Sequence, residues 1–314
     1  MLKFKKLIGS IKYRLSRVLV NIRKFLQQTH PYGLFGLSVW DVGTKFYLGL
    51  TQSSIDVRAS AIAFNFFLAM FPAMIFFFTL IPYLPIENFS DNLMIFLSSL
   101  MPDYAFETIE STIEDITTRR RGTLLSFGFI ASIYFATSGF STMISTFNET
   151  VNATERRSWL TIQLTSILLI LILTILVAIT IILITFNQAI FDYLIVEFDL
   201  IPAVAEYAFL IMRWLITICF FYFSVSMLYY WAPTKKDRFH FFSPGATVAT
   251  ILGIILLLGF TFFINNFSTY NTLYGSIGTL IVLLVWIKIT AFILIIGFEL
   301  NAGIRSSQVE KSYI

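Results

Sequence analysis

Six stretches of this chain are apolar over lengths that only a lipid bilayer explains. They lie near residues 59–82, 123–147, 163–186, 206–231, 243–267 and 276–302. Hydrocarbon about 30 Å thick takes about 20 helical residues to cross, and each stretch meets that length. Inside lipid the backbone must satisfy its own N–H and C=O groups, so runs of this kind are helices. Composition agrees: 57% of the 314 residues are hydrophobic and 13% are charged, where a soluble domain carries about 25% charge. The sequence predicts an all-α, polytopic membrane bundle of about six transmembrane helices. It divides into a basic cytoplasmic region at 1–58, a six-span domain at 59–303 and a tail at 304–314. The first long apolar run starts only near Ala59, so no cleaved signal peptide is read.

The 123–147 stretch differs from the rest. Ser126, Gly128, Ser132, Thr137, Ser138, Gly139, Ser141 and Thr142 make it too polar to face lipid all round. Small residues let helix backbones approach closely, which predicts a span inside the bundle.

Lys and Arg in the connections set the orientation. Residues 1–58, connections 148–162 and 232–242, and the tail after 302 together carry 17; the opposite side carries Arg119, Arg120 and Arg121. The side with 17 is read as cytoplasmic, with both termini there. The three arginines go against the rule, but their loop, 83–122, also holds Glu87, Asp91, Asp103, Glu107, Glu110, Glu114 and Asp115. Phe106, Ile109, Ile113 and Ile116 recur there at helical spacing, which predicts short external helices.

The first 26 residues are patterned too. Phe4, Leu7, Ile8, Ile11, Leu15, Val18, Leu19, Ile22, Phe25 and Leu26 fall at helical spacing among Lys and Arg, with no acid before Asp41. This reads as a basic amphipathic helix on the anionic lipid of the cytoplasmic leaflet, which makes membrane lipids a partner. Packing on the bundle end is the alternative. Phosphate binding needs no apolar face, so a nucleic-acid partner is not expected.

Little in the chain points to catalysis. His30 and His240 lie far apart and Cys219 is the one cysteine, so no disulfide, metal site or cofactor is expected. There is no Gly-rich phosphate loop, no G-x-S-x-G and no H-E-x-x-H.

Charge inside a span is costly and marks candidate functional positions. Arg213 and Lys288 lie well inside the fourth and sixth stretches, with Glu299 nearer the cytoplasmic end and Glu206 nearer the outer end. The two acids are poorly placed to neutralise both cations, which favours an anionic ligand; carbonyl, Asn or Ser partners are the plainer alternative. Pro72 interrupts the first span and shares a face with Asn65, seven residues earlier. That pair either lines a cavity or marks a packing kink. Tyr270, Tyr274 and Gly275 fall at the outer turn between the fifth and sixth spans, as a gate or a tight interfacial turn.

Four parts of the chain carry a resemblance. They are Ala59-Ser60-Ala61-Ile62-Ala63-Phe64-Asn65 through Phe71-Pro72; Phe147-Asn148-Glu149 with Glu155-Arg156-Arg157-Ser158-Trp159; Ser243-Pro244-Gly245-Ala246; and Tyr270 through Gly278 with Gly297-Phe298-Glu299-Leu300-Asn301-Ala302. In this order they resemble the YihY / virulence factor BrkB family of bacterial inner-membrane proteins, once labelled ribonuclease BN. Phe64-Asn65 stands where the family usually has two tyrosines. The resemblance covers about 59–303 and implies six spans with cytoplasmic termini. It implies envelope or transport roles, and it makes the nuclease label a misassignment.

The leading expectation is a transporter or flippase-like protein for an anionic or lipid-like solute, not an enzyme. A non-transporting structural or interaction protein of the envelope is the alternative.

Overall fold

The computed structural model describes most of residues 20–312; the main stretches outside the described residues are 1–19, 84–92, 99–109, 151–156, 198–201, 235–239 and 313–314. The amphipathic pattern of residues 2–26 therefore lies largely outside them, although positions 23–28 are helical and Phe25 is exposed.

The fully described α-helices are α1 (Val39–Gln52), α2 (Ile55–Leu80), α3 (Gly122–Thr150), α4 (Trp159–Glu197), α5 (Pro202–Trp231), α6 (Pro244–Asn266) and α7 (Ser268–Ser312). No described residue is in a strand. All but α1 are long and apolar enough to cross a membrane, which gives the six spans read from the sequence.

Their starts follow from local chemistry. Ser38 caps α1: its Oγ accepts the Asp41 N–H at 3.1 Å and donates to Asp41 Oδ2 at 2.7 Å. Ser158 caps α4 by accepting the Thr161 N–H at 3.3 Å. Pro202 and Pro244 open α5 and α6, at the position where a missing N–H costs nothing. A short 3-10 turn, Ile81–Tyr83, finishes α2.

The spans pack in cyclic order. α2 lies along α3, α3 on α4, α4 on α5, α5 on α6, α6 on α7, and α7 returns to α2. α1 packs on the C-terminal part of α7, held by a Lys45–Glu310 ion pair at 2.9 Å and by Lys311 Nζ donating to Gly36 O at 3.1 Å. The end of the bundle that holds α1, the start of α2 and the end of α7 is called proximal here, and the opposite end distal.

The second span is indeed interior at its proximal half. Thr137, Gly139, Phe140, Met143, Ile144, Thr146, Phe147 and Asn148 are all buried. Gly128 and Gly139 permit the approach to α2: a Cβ on Gly128 would lie 2.9 Å from Phe76 N, and one on Gly139 3.1 Å from the Phe66 ring.

Candidate functional site: a sealed proximal end and an uncovered distal face

One face of α5 shows how the ring is closed. Tyr207, Ile211, Leu215, Ile218, Val225 and Tyr229 recur at steps of three, four and seven, so they form one stripe. Along it exposure falls from 73% through 65%, 54% and 44% to 5% and finally 0%. The residues that enter the core at the proximal end thus belong to the same face that stands uncovered distally. α7 and α6 repeat the trend: Phe298 and Ala246 are buried, whereas Leu280 and Ile264 are exposed. On these faces of α5, α6 and α7 the proximal residues are buried and the distal ones are exposed and apolar.

Three rings plug the closed end. Phe147 stacks on Phe298 with centroids 4.2 Å apart, and Tyr229 meets both edge-on at 5.7 and 5.5 Å. The Tyr229 hydroxyl donates to Leu294 O at 2.7 Å, which satisfies the one polar atom of the trio. Beneath them α6 crosses α7 through Gly245 and Gly297. A Cβ on Gly297 would lie 2.6 Å from Gly245 O and 2.8 Å from Ala249 Cβ, so the backbones touch.

A layer of polar contacts lies on the proximal side of the plug. Glu299 is only 4% exposed, and its Oε1 accepts from Thr150 Oγ1 at 3.0 Å. Arg58 Nη1 approaches the same Thr150 oxygen at 3.4 Å, while Nη2 pairs with Glu149 Oε2 at 3.1 Å. A Cβ on Gly49 of α1 would lie 2.5 Å from Glu299 Oε2, so α1 closes over the carboxyl. Asn301 Oδ1 accepts the Gly245 N–H at 2.8 Å, and its Nδ2 donates to Ser243 Oγ at 2.9 Å, which caps α6 from α7. Asn148 Oδ1 accepts the Thr234 N–H at 2.9 Å, and Arg157 donates to Ala232 O at 3.0 Å. Among the described residues no three His, Cys, Asp or Glu side chains gather as metal ligands.

The charged and polar residues singled out in the sequence fall as follows. Lys288 Nζ pairs with Asp56 Oδ1 at 2.8 Å. Asp56 is in the first turn of α2, just ahead of the stretch read as the first span, so that stretch did not supply it as a counter-ion. Arg213 is exposed, within the span Glu206–Trp231 and five turns, about 27 Å of helix, before Trp231 on the same face. Asn65 ties α2 to α3: its Nδ2 donates to Thr142 Oγ1 at 3.2 Å and its Oδ1 accepts from Ser138 Oγ at 3.1 Å. Pro72 is buried on α2, and its carbonyl would lie 3.2 Å from a Cβ on Gly128, so this part of α2 packs against α3. Tyr270, Tyr274 and Gly275 lie in the first turns of α7; their side chains are outside the described residues. The structure thus brings Glu299 together with Arg58, Glu149 and Thr150, and leaves Arg213 remote from them.

Sequence reasoning passed over Arg58, Asp56 and Thr150 as mere span edges. It noted Asn148, Arg157, Ser243 and Asn301 only as parts of motifs. Of the aromatic plug, Phe147 and Phe298 stood in quoted motifs without being singled out among 35 phenylalanines, and Tyr229 was not read.

Comparison with known proteins fits this geometry. The model of the virulence factor BrkB family matches residues 46–313, which takes in every span and the whole proximal layer. A protein of Bacillus subtilis (strain 168), YfkH, whose name calls it ribonuclease-like, is 32% identical over 78% of this chain and 88% of its own length. A UPF0761 membrane protein of Mannheimia succiniciproducens is 22% identical over 85% of this chain and 90% of its own. Another, of Pseudoalteromonas translucida, is 33% identical over 27% of this chain and 29% of its own. No solved structure matches. The residues that form the plug, the glycine crossing and the polar layer all lie within the matched span, and the chain belongs to the virulence factor BrkB family of membrane proteins.

Proposed function

We propose that this protein is a transporter or flippase-like protein of the bacterial inner membrane, with the proximal end in the cytoplasm and a lipid-like anionic solute as its cargo. The single observation that carries the reading is the α5 stripe, buried at one end and progressively uncovered toward the other. The exposed part of the stripe, the twelve residues from Tyr207 to Ile218, runs for about 16 Å on the face that enters the core proximally, and a lipid chain lying on it would be led toward the closed end. A cavity shut at one end and open at the other is one state of an alternating-access cycle. Its Leu, Ile and Tyr lining suits an acyl chain better than a hydrophilic solute. The excess of Lys and Arg on the proximal side supports the orientation.

The test is transbilayer movement of a fluorescent phosphatidylglycerol in proteoliposomes. The reading expects faster loss of outer-leaflet signal on reduction of the probe than in protein-free vesicles. It also expects a block by bulky maleimides on cysteines at Ile211 or Leu215, in a Cys219→Ser background. Equal rates with and without protein would refute it.

The proximal ion pairs favour a second reading, a structural protein of the envelope in which Arg58–Glu149 and Lys288–Asp56 only hold helices together. Lys288→Met and Arg213→Met separate the two. Under the transport reading the variants fold at normal abundance and lose flux or cellular phenotype. Under the structural reading loss of protein level accounts for all loss of function.

A further inference from the structure

We propose that the cleft between the start of α6 and the last turns of α7 binds a phosphate group, carried either by a lipid headgroup of the proximal leaflet or by a small soluble phosphate compound. The site stands apart from the transport reading, since it would hold its ligand whether or not anything crosses the membrane. The cleft has a volume of about 290 Å³ and is walled by Phe35, His240, Ser243, Asn301, Arg305 and Gln308, among others. Among the described residues no Asp or Glu lines it.

Arg305 carries the argument. Its Nη1 donates to Gln308 Oε1 at 3.3 Å. The opposite edge of the guanidinium, Nε with Nη2, has no acceptor among the described residues, and Nε is buried. A buried N–H with no acceptor is costly, more so on a charged group, and native structures hold few of them. The free edge is a fork of parallel N–H groups whose spacing matches two oxygens of a phosphate. No nearby acid fills it: Glu310, five residues on, is paired with Lys45 at 2.9 Å.

The neighbours of Arg305 are donors too. Ser243 is 7% exposed, and its Oγ accepts from Asn301 Nδ2 at 2.9 Å and from the Ala246 N–H at 3.3 Å. Both lone pairs are thereby used, so the hydroxyl has only its proton to offer, and no acceptor for it lies among the described residues. Asn301, 6% exposed and one turn before Arg305 on the same face of α7, has its Oδ1 filled by the Gly245 N–H and a second Nδ2 hydrogen left to give. The first N–H groups of α6 are already met by Asn301 and Ser243, so the site rests on side chains and not on the helix start. Donors from two helices thus line one cleft without a free acceptor. A carboxylate offers two coplanar oxygens, whereas the tetrahedral oxygens of a phosphate can meet the Arg305 fork and the Ser243 hydroxyl together. Position agrees with this chemistry. The apolar span of α6 begins at Pro244, which puts the cleft at headgroup level on the side rich in Lys and Arg. Phe35 stacks on His240 with centroids 5.2 Å apart, as the outer wall.

The two histidines of the chain supply the test, because His240 lines this cleft and His30 does not. Their ring signals are followed by NMR in the untagged full-length protein at constant pH, in maltoside micelles, which contain no phosphate; His30→Gln assigns them. The probes are inorganic phosphate, dioctanoyl phosphatidylglycerol and, as the phosphate-free control, dioctanoylglycerol. A phosphate probe should move the His240 signal saturably and leave His30 in place. Arg305→Gln and Arg305→Lys should each raise the half-saturating concentration about tenfold or more, the lysine because it keeps the charge and loses the fork. Lys311→Gln removes a charge from the same end of α7 and should leave the curve unchanged. Half-saturation by phosphatidylglycerol about tenfold or more below inorganic phosphate assigns the site to a lipid headgroup, and a smaller gap assigns it to a soluble phosphate compound. The proposal is overturned if neither phosphate probe gives a saturable shift, if dioctanoylglycerol gives the same one, if both histidines move together, or if both Arg305 variants bind as before. The titration of the unaltered protein does not depend on any variant folding. Failure of the transport reading looks different: the His240 titration persists while lipid movement stays at the protein-free rate.

Discussion

Gly297→Ala isolates the crossing on which the sealed end depends. The new methyl would lie 2.6 Å from Gly245 O and 2.8 Å from Ala249 Cβ, and it would overlap the Tyr229 hydroxyl. Two of these obstacles are fixed to the α6 backbone, so relief requires α6 and α7 to separate. Overpacking of this kind costs about 1–3 kcal/mol. Turning Tyr229 aside also breaks its bond to Leu294 O inside the core, which adds about 1–3 kcal/mol for the stranded polar group. The sum is a loss of about 2–5 kcal/mol, because the two strains share one relaxation. Gly259→Ala is the matched control: it lies in α6 with nothing within 4 Å of its added methyl, and alanine favours helix by up to about 1 kcal/mol. Reversible unfolding in mixed micelles measures both. If Gly297→Ala unfolds at the same denaturant strength as Gly259→Ala, the backbone contact is not a structural determinant and the reasoning fails.

Three further outcomes follow from other contacts. Asn301→Ala removes the acceptor of the buried Gly245 N–H and should cost about 1–3 kcal/mol in the same assay; no loss would mean that α6 needs no cap from α7. Phe147→Ala opens a void between Tyr229 and Phe298 and should cost about 3–5 kcal/mol while making a cysteine at Ile144 reactive from the proximal side; unchanged reactivity would show that the ring is not a plug. A reporter fused after Ile314 should read cytoplasmic, and a cysteine at Asp103 should be labelled from outside; periplasmic activity of the fusion would reverse the orientation.

The spans were legible because lipid imposes a length and a polarity that few other environments demand, and the polar second span was legible as an interior helix for the same reason. Depth within the membrane was harder to read. Arg213 falls inside the stretch 206–231, which the structure also forms as an apolar span, but its exposure there could not be read from hydropathy. Lys288 looked uncompensated because its partner, Asp56, precedes the first apolar residue counted. Pairings across helices, such as Thr150 with Glu299, join positions 149 residues apart, and no local pattern encodes them. Motifs did point to the right neighbourhood: Ser243 and Asn301, read as separate signatures, are one cap.

The length of α7 has a mechanical consequence. Its 45 residues run without a break from the distal rim to the helix α1 covers. Gly297, pressed against α6 with no side chain between, is the natural fulcrum of this rod. From there the distal arm to Ser268 is about 44 Å and the proximal arm to Ser312 about 23 Å, at 1.5 Å per residue. A tilt about that point magnifies displacement roughly twofold from the short arm to the long one, in the opposite direction. Freeing the short arm by about 2 Å at the Lys45–Glu310 pair would swing the distal rim by about 4 Å. A small shift at the end of α7 that α1 covers is thereby geared to a larger one at the far end of the rod.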